Sequence, residues 1–167
     1  MAAKKRRIAM GLDFYMAKRG RKTEEFFSGT CRFHCILTYL MACFNVKLAK
    51  AYHLPGFSRT PEEKAMLKDI SPYVPEGAWA LFCVSDIDGE WDNDTINRIV
   101  REVKNSKGFN NPDVVQKEIE DIVSSYSDVN KIHLAGFDHI PGWKDKALEF
   151  IANLEKAAEK GCRVYWY

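Results

Sequence analysis

The apolar stretch at residues 31–45 constrains the fold of this chain more than any other segment. If it is helical, apolar side chains surround nearly the whole helix, with Phe33, Leu37 and Leu40 on one side. A helix that is apolar all round must be covered by other elements. Its longest mainly apolar run, residues 35–44, is about half the length that a membrane-spanning helix needs. We therefore expect a buried central helix in a globular domain.

The composition is sufficient to bury such a helix within one domain. The chain has 167 residues, of which 46% are hydrophobic and 29% are charged, which excludes a disordered or collagen-like chain. We assign residues 1–167 to a single domain, with residues 1–7 as a basic N-terminal arm. The segment after this arm is interrupted by Asp13, unlike a secretory signal.

The five cysteines include no CxxC pair, and apolar neighbours such as those around Cys83 are typical of buried, reduced thiols. We expect a soluble cytoplasmic protein.

Helical periodicity and capping residues predict five helices, while β-prone runs predict strands near both ends of the chain. The predicted helices lie at about residues 31–45, 60–69, 96–108, 112–126 and 143–160. The predicted strands lie at residues 8–16, 78–84 and 163–167. A short helix is the alternative for the second of these strands. A charged turn and an exposed loop are expected after the first strand, and Gly161 is expected to end the last helix in a left-handed conformation.

This order of elements indicates an α+β fold, because the helices follow one another instead of alternating with strands. We predict a small two- or three-stranded sheet formed by the N-terminal, central and C-terminal segments and packed against about five helices. Pairing of the first strand with the last is the most economical topology.

Charge is distributed unevenly along the chain. Residues 1–25 hold eight Lys or Arg against three acids, a net charge of +5, whereas residues 86–128 hold five against eleven, a net charge of −6. A basic cluster of this size can bind nucleic acid or an acidic partner; the alternative is a solvated terminus. The candidate contact residues are Lys4, Lys5, Arg6, Arg7, Arg19, Arg21 and Lys22.

An acidic loop follows the predicted central strand. It places five carboxylates within nine residues: Asp86, Asp88, Glu90, Asp92 and Asp94. Carboxylates beside a glycine suit a hard cation, Mg²⁺ or Ca²⁺, although the spacing does not match an EF-hand. Acid–base catalysis is a second interpretation. The structural alternative, which we favour, is a turn in which Asp92 or Asp94 caps the next helix.

A second polar loop carries His133, Asp138 and His139. Such residues can bind a transition metal or a base-bearing ligand, but the spacing matches no standard zinc site, and ordinary loop packing is the favoured alternative. If this loop met the acidic loop, the two would supply histidine and carboxylate ligands together. The terminal triplet Tyr165-Trp166-Tyr167 could stack on a base or dock a partner, and sheet packing explains the same triplet without any ligand.

Short segments resemble small, uncharacterised bacteriophage proteins. The Gly-Leu-Asp-Phe-Tyr opening at residues 11–15 is similar to theirs, as are the Ser-Asp-x-Asp-Gly-Glu loop at residues 85–90 and the ending at residues 161–164. Val84 and Ile87 replace the histidine and the cysteine of that loop motif. The resemblance implies a phage or prophage setting inside a bacterial host cell, without histidine- or cysteine-dependent metal chemistry at this loop.

Three functions fit these features. The favoured one is a nonenzymatic phage accessory protein that binds a host defence or regulatory protein or a nucleotide-like ligand, with no cofactor. The first alternative is a small metal-dependent hydrolase or nuclease that uses Asp86 and Asp88, with His139 as a further candidate, around Mg²⁺ or Mn²⁺. Basic residues would steer nucleic acid to it. The second alternative is a nucleic-acid-binding module that uses the basic N-terminal region.

Overall fold

A computed structural model describes residues 12–53, 74–84, 88–124 and 141–167. Its helices and strands, in chain order, are β1 (Asp13–Lys18), β2 (Arg21–Ser28), α1 (Thr30–Phe44), α2 (Val46–His53), α3 (Glu76–Phe82), β3 (Gly89–Trp91), α4 (Asn93–Lys104), α5 (Pro112–Ser124), α6 (Lys144–Glu159) and β4 (Arg163–Trp166). A single 3₁₀ turn, Pro141–Trp143, precedes α6. The helix predicted at residues 60–69 lies outside the described residues.

The strands form one antiparallel sheet with the order β2-β1-β4-β3. The predicted pairing of the first strand with the last is confirmed, since Phe14 lies opposite Trp166 and Met16 lies opposite Val164. Together with six described helices, this sheet confirms the α+β class. It has four strands instead of the two or three that the sequence predicts.

The strand predicted at residues 78–84 was wrong. The segment 78–84 falls in and just after helix α3, where Ala78, Leu81 and Phe82 are buried at the i, i+3 and i+4 spacing of one helical face. The central strand is instead Gly89–Trp91. Helix α3 ends at Phe82, directly before Cys83. Cys83 is exposed, not buried as predicted. It is a free thiol, as expected.

The segment after the charged turn was also predicted wrongly, as an exposed loop. It is strand β2, which pairs antiparallel with β1 along its length. Its first five residues, 21–25, are all exposed, so they show no alternation between apolar and polar side chains. An edge strand that is paired on one side through its backbone does not need an apolar face over its whole length.

The core lies between one face of the sheet and helices α1, α4 and α6. Phe14 of β1 is fully buried at its centre. The Phe14 ring centroid lies 4.6 Å from that of Phe33 on α1, 5.3 Å from that of Phe150 on α6 and 5.8 Å from that of Trp166 on β4. Aromatic rings at these separations add favourable ring–ring contacts to the burial of apolar area.

The periodic helices are confirmed. Helix α1 is buried as predicted, with Phe33, Leu37 and Leu40 inaccessible to solvent. Helix α6 ends at the predicted glycine: Gly161 has a φ of 65°, and the amide of Cys162 donates to the carbonyl of Ala157 at 2.9 Å, the geometry of a Schellman C-cap. No described helix is long and apolar enough to cross a lipid bilayer.

Gly89 is held by close packing against an aromatic ring. It lies opposite Trp166 in the β3–β4 pairing. A Cβ atom at position 89 would overlap Cζ2 and Cε2 of the Trp166 indole. This contact gives the Asp-Gly-Glu motif a packing role, because only glycine leaves room for the ring.

We expect Gly89→Ala to destabilise the protein by about 1–3 kcal/mol, the usual cost of overpacking a core site. Urea denaturation followed by circular dichroism measures this change. Gly142→Ala is the matched control, because a Cβ atom at position 142 meets no atom within 4 Å, and we expect a change within about 0.5 kcal/mol. Equal effects of the two substitutions would contradict the packing role.

A second prediction concerns alkaline pH. Burial raises the pKa of the Tyr39 phenol above its ordinary value of 10.0 and raises the pKa of the Cys43 thiol from 9.0 to about 12. In the unfolded chain both groups lose their protons at the ordinary values, so the contribution of Cys43 to stability is complete below pH 9.0 and is lost as the pH rises toward about 12. We expect urea denaturation at a series of pH values to show this decline, with a shallower decline in Cys43→Ala. Parallel pH profiles for the two proteins would contradict it.

Candidate functional site

The tip of the β1–β2 hairpin is the most strongly cationic part of the sheet. Lys18 and Arg21 are paired across it, and Arg19 and Gly20 form the two-residue turn with φ values of 52° and 74°. Positive φ at both central residues is characteristic of a type I′ turn, which favours Asn, Asp or Gly. Arg19 therefore occupies a conformation that costs an ordinary L-residue roughly 1–2 kcal/mol. All four residues are exposed.

The charges of the hairpin tip are not neutralised by the described part of the chain. No described carboxylate forms an ion pair with Lys18, Arg19 or Arg21. The nearby acids of β2 have other partners: Glu24 accepts from Lys156 on α6 at 3.1 Å, and Glu25 interacts with Tyr15. Three positive charges thus face solvent within four residues of chain.

The face of the sheet opposite the core carries tyrosines. Side chains alternate along a strand, so that Phe14 and Met16 point into the core while Tyr15 points to the other face. Tyr165 of β4 lies opposite Tyr15 in the register, and Tyr167 follows two residues later. Tyr167 is 44% exposed. We call the surface formed by Tyr15, Tyr165 and Tyr167 the open face; the core, with helices α1, α4 and α6, lies on the other side of the sheet.

A lysine joins the open face to the hairpin tip. The rings of Tyr15 and Tyr167 are stacked, with centroids 5.1 Å apart and an angle of 16° between their planes. The Nζ atom of Lys22 lies 4.1 Å from the Tyr15 centroid and 4.0 Å from the Tyr167 centroid. It also donates to the Tyr167 hydroxyl. Lys22 thus makes cation–π contacts and a hydrogen bond at once.

These contacts separate the pKa values of the two phenols. Hydrogen bonding to Tyr167, burial and the neighbouring Glu25 raise the pKa of Tyr15. Hydrogen bonds from Lys22 and then Tyr15 lower the pKa of Tyr167. Tyr167 therefore accepts the hydrogen bond that Lys22 donates.

The described acids of the acidic loop have different surroundings. Glu90 on β3 accepts from Arg163 on β4 at 3.0 and 3.1 Å. Asp92 caps α4, since the amide of Thr95 donates to its Oδ1 atom at 2.8 Å, and this bond lowers the pKa of Asp92. Asp88 is exposed. The favoured interpretation, a helix-capping turn, is confirmed for Asp92.

Several candidate residues lie outside the described residues: Asp86, His133, Asp138, His139 and the basic arm Lys4, Lys5, Arg6 and Arg7. Whether the two polar loops meet is therefore not described. Within the described ranges, no three His, Cys, Asp or Glu side chains are grouped so that they could hold a metal ion.

Of the predicted basic candidates, the hairpin brings Arg19, Arg21 and Lys22 together. Sequence reasoning missed Lys18 and Tyr15 as members of the same surface. The signal for Tyr15 was its position between the apolar residues Phe14 and Met16, which places it on the opposite face of a strand from them.

A separate groove of about 420 Å³ lies between the end of α1 and the start of α5. Cys43 and Val115 form part of its wall, and the exposed Val114 lies at its rim. It contains none of the candidate residues from the sequence.

Comparison of the chain with models of protein families, with curated proteins and with solved structures found no match.

We expect Asp92→Ala to lower the urea midpoint of the protein, because it removes the cap of α4. Asp88→Ala is the control from the same loop and should leave the midpoint unchanged. The contribution of Asp92 is present above pH 3.8, the ordinary pKa of its carboxyl group, and is lost as the pH falls through its lowered value. The difference between the two variants should therefore disappear in strong acid. A metal-dependent rise in stability that both substitutions abolish would contradict a purely capping role.

Proposed function

We propose that this protein is a nonenzymatic nucleic-acid-binding protein that holds phosphate groups at the tip of the β1–β2 hairpin. The observation that carries the proposal is a set of three exposed cations at the tip that form no ion pair with a described carboxylate: Lys18, Arg19 and Arg21. Phosphate contacts by Lys and Arg release counterions and supply much of the affinity for nucleic acids.

The conformation of the turn adds support. A hairpin selected for stability alone would place Asn or Gly at position 19. The left-handed conformation of Arg19 lowers the stability of the hairpin, and it places an exposed arginine in the turn itself. Arginine is well suited to phosphate because its donors match two phosphate oxygens.

We base the proposal on binding because the hairpin cations are described, whereas Asp86 of the hydrolase alternative lies outside the described residues and Asp88 is exposed. Two other acids of the acidic loop have structural partners. Glu90 is paired with Arg163, and Asp92 caps α4. The function favoured from the sequence included binding of a nucleotide-like ligand, and the hairpin cations would bind the phosphate groups of such a ligand in the same way. The phage or prophage setting and the host protein partner stay predictions.

The test is the salt dependence of binding to a fluorescent single-stranded oligonucleotide, measured by anisotropy. We expect the triple variant Lys18→Gln, Arg19→Asn, Arg21→Gln to bind more weakly. Its plot of log affinity against log salt concentration should be shallower by about 2, since each lost phosphate contact removes roughly 0.7 of slope on a single strand. Arg19→Asn alone should weaken binding without lowering stability, because asparagine tolerates the left-handed conformation.

The matched control is Lys47→Gln, Lys107→Gln, Lys117→Gln, which removes the same charge from exposed positions outside the sheet. We expect its salt slope to equal that of the wild type. Equal losses in the two triple variants would assign the binding to net charge and contradict a site at the hairpin. Absence of binding by the wild type at low salt would overturn the proposal and direct the search to a protein partner.

A further inference from the structure

We infer that the open face next to the hairpin is a base-stacking platform, so that the ligand is a single-stranded nucleic acid and not a duplex. This inference rests on the proposed function, which supplies the phosphate contacts. In this proposal unpaired bases stack on the Tyr15 and Tyr167 pair, beside which Lys22 lies.

The aromatic surface is already ordered without a ligand. The Tyr15 and Tyr167 rings stack at 5.1 Å, and Lys22 holds Tyr167 through its hydroxyl. A ring that is fixed before binding loses little conformational freedom when a base stacks on it. Tyr167 nevertheless keeps 44% of its surface exposed, which makes it the ring that a base can cover.

Charge along the sheet determines where the phosphates lie. Strand β1 begins at Asp13 and ends at Lys18, so an acid is at one end and the cationic tip is at the other. Glu25 beside Tyr15 and Glu90 beside Arg163 are both engaged within the protein. Phosphates are therefore attracted toward the tip, and the tyrosines remain for the uncharged bases.

The distance between the two parts suits adjacent nucleotides. The turn begins at Lys18, about 10 Å along the strand from Tyr15 at the usual rise per residue, and Arg19, four residues from Tyr15, is exposed in the turn itself. Lys22 lies opposite Ala17, between the tip and the rings, and its Nζ atom is 4.0 Å from the Tyr167 centroid. A single strand can then place a phosphate on the tip and a base on the tyrosines together.

Duplexes do not offer this combination. In a duplex the base faces are covered by neighbouring base pairs, whereas an unpaired base exposes a π face that any aromatic ring can stack on. Stacking of this kind tolerates all four bases, so we expect weak sequence preference.

The experiment compares three probes of equal length on the full chain: a single-stranded oligonucleotide, the same strand with abasic positions, and a duplex. The variants are Tyr167→Leu, which removes the aromatic ring but keeps an apolar side chain, and Tyr167→Phe, which keeps the ring and removes the hydroxyl.

We expect the single strand to bind at least tenfold more tightly than the abasic strand. Tyr167→Leu should weaken binding of the single strand by about tenfold, the usual effect of one lost base–aromatic stack, and leave the other two probes unchanged. Tyr167→Phe should stay within about threefold of the wild type, because a phenylalanine ring stacks as well.

The outcomes separate the two proposals. If all three probes bind equally and Tyr167→Leu affects none of them, the stacking platform is wrong while the hairpin site stands. If Tyr167→Phe loses as much affinity as Tyr167→Leu, the hydroxyl and not the ring is responsible, and the inference is overturned. If no probe binds, both proposals fail.

Urea denaturation of each variant shows whether a loss of affinity reflects unfolding. If Tyr167→Leu is destabilised, Tyr167→Val replaces it, because valine suits an end-of-strand position.

Discussion

The antiparallel pairing of β1 with β4 holds the structure together. It joins the start of the described chain to its end: the amide of Asp13 donates to the carbonyl of Tyr167 at 3.1 Å. The pairing places Phe14 beside Trp166 on the core side, where helices α1 and α6 cover them. Each remaining strand adds to one edge of this pair, β2 to β1 and β3 to β4.

The same pairing creates the candidate site on the opposite face. Because side chains alternate, the register that buries Phe14 and Trp166 also brings Tyr15 and Tyr165 together on the solvent side. A slip of one residue would exchange the two faces and expose the aromatic core. Burial of the core therefore fixes the geometry of the surface that we propose for binding.

The hairpin provides the charge, and the pairing places it. Strand β2 is largely exposed and contributes Phe26 and Phe27 to the core only near its end. Its first five residues are exposed, so charged side chains at these positions stay in contact with solvent. Pairing with β1 brings the Nζ atom of Lys22 over the Tyr15 and Tyr167 rings. The proposed phosphate and base contacts are thus adjacent because two paired strands carry them.

Helical periodicity was sufficient to predict much of the fold. The stripes of α4 and α6, the all-round apolar α1 and the ending at Gly161 are local patterns, and the pairing of the first strand with the last followed from topology. Local pattern could not separate a strand from a helix at residues 78–84, because a short apolar run fits both. It also could not identify β2, whose exposed first half has no alternation.

The sequence by itself determined the α+β class, the buried central helix, a helix cap at Asp92 or Asp94 and the basic character of Arg19, Arg21 and Lys22; the structure assigns the cap to Asp92. Only the tertiary structure decided that Gly89 makes room for Trp166 and that Lys22 lies against Tyr15 and Tyr167. The physical reason is separation along the chain. Lys22 and Tyr167 are 145 residues apart, and strand register, which depends on the burial of the opposite face, brings them into contact.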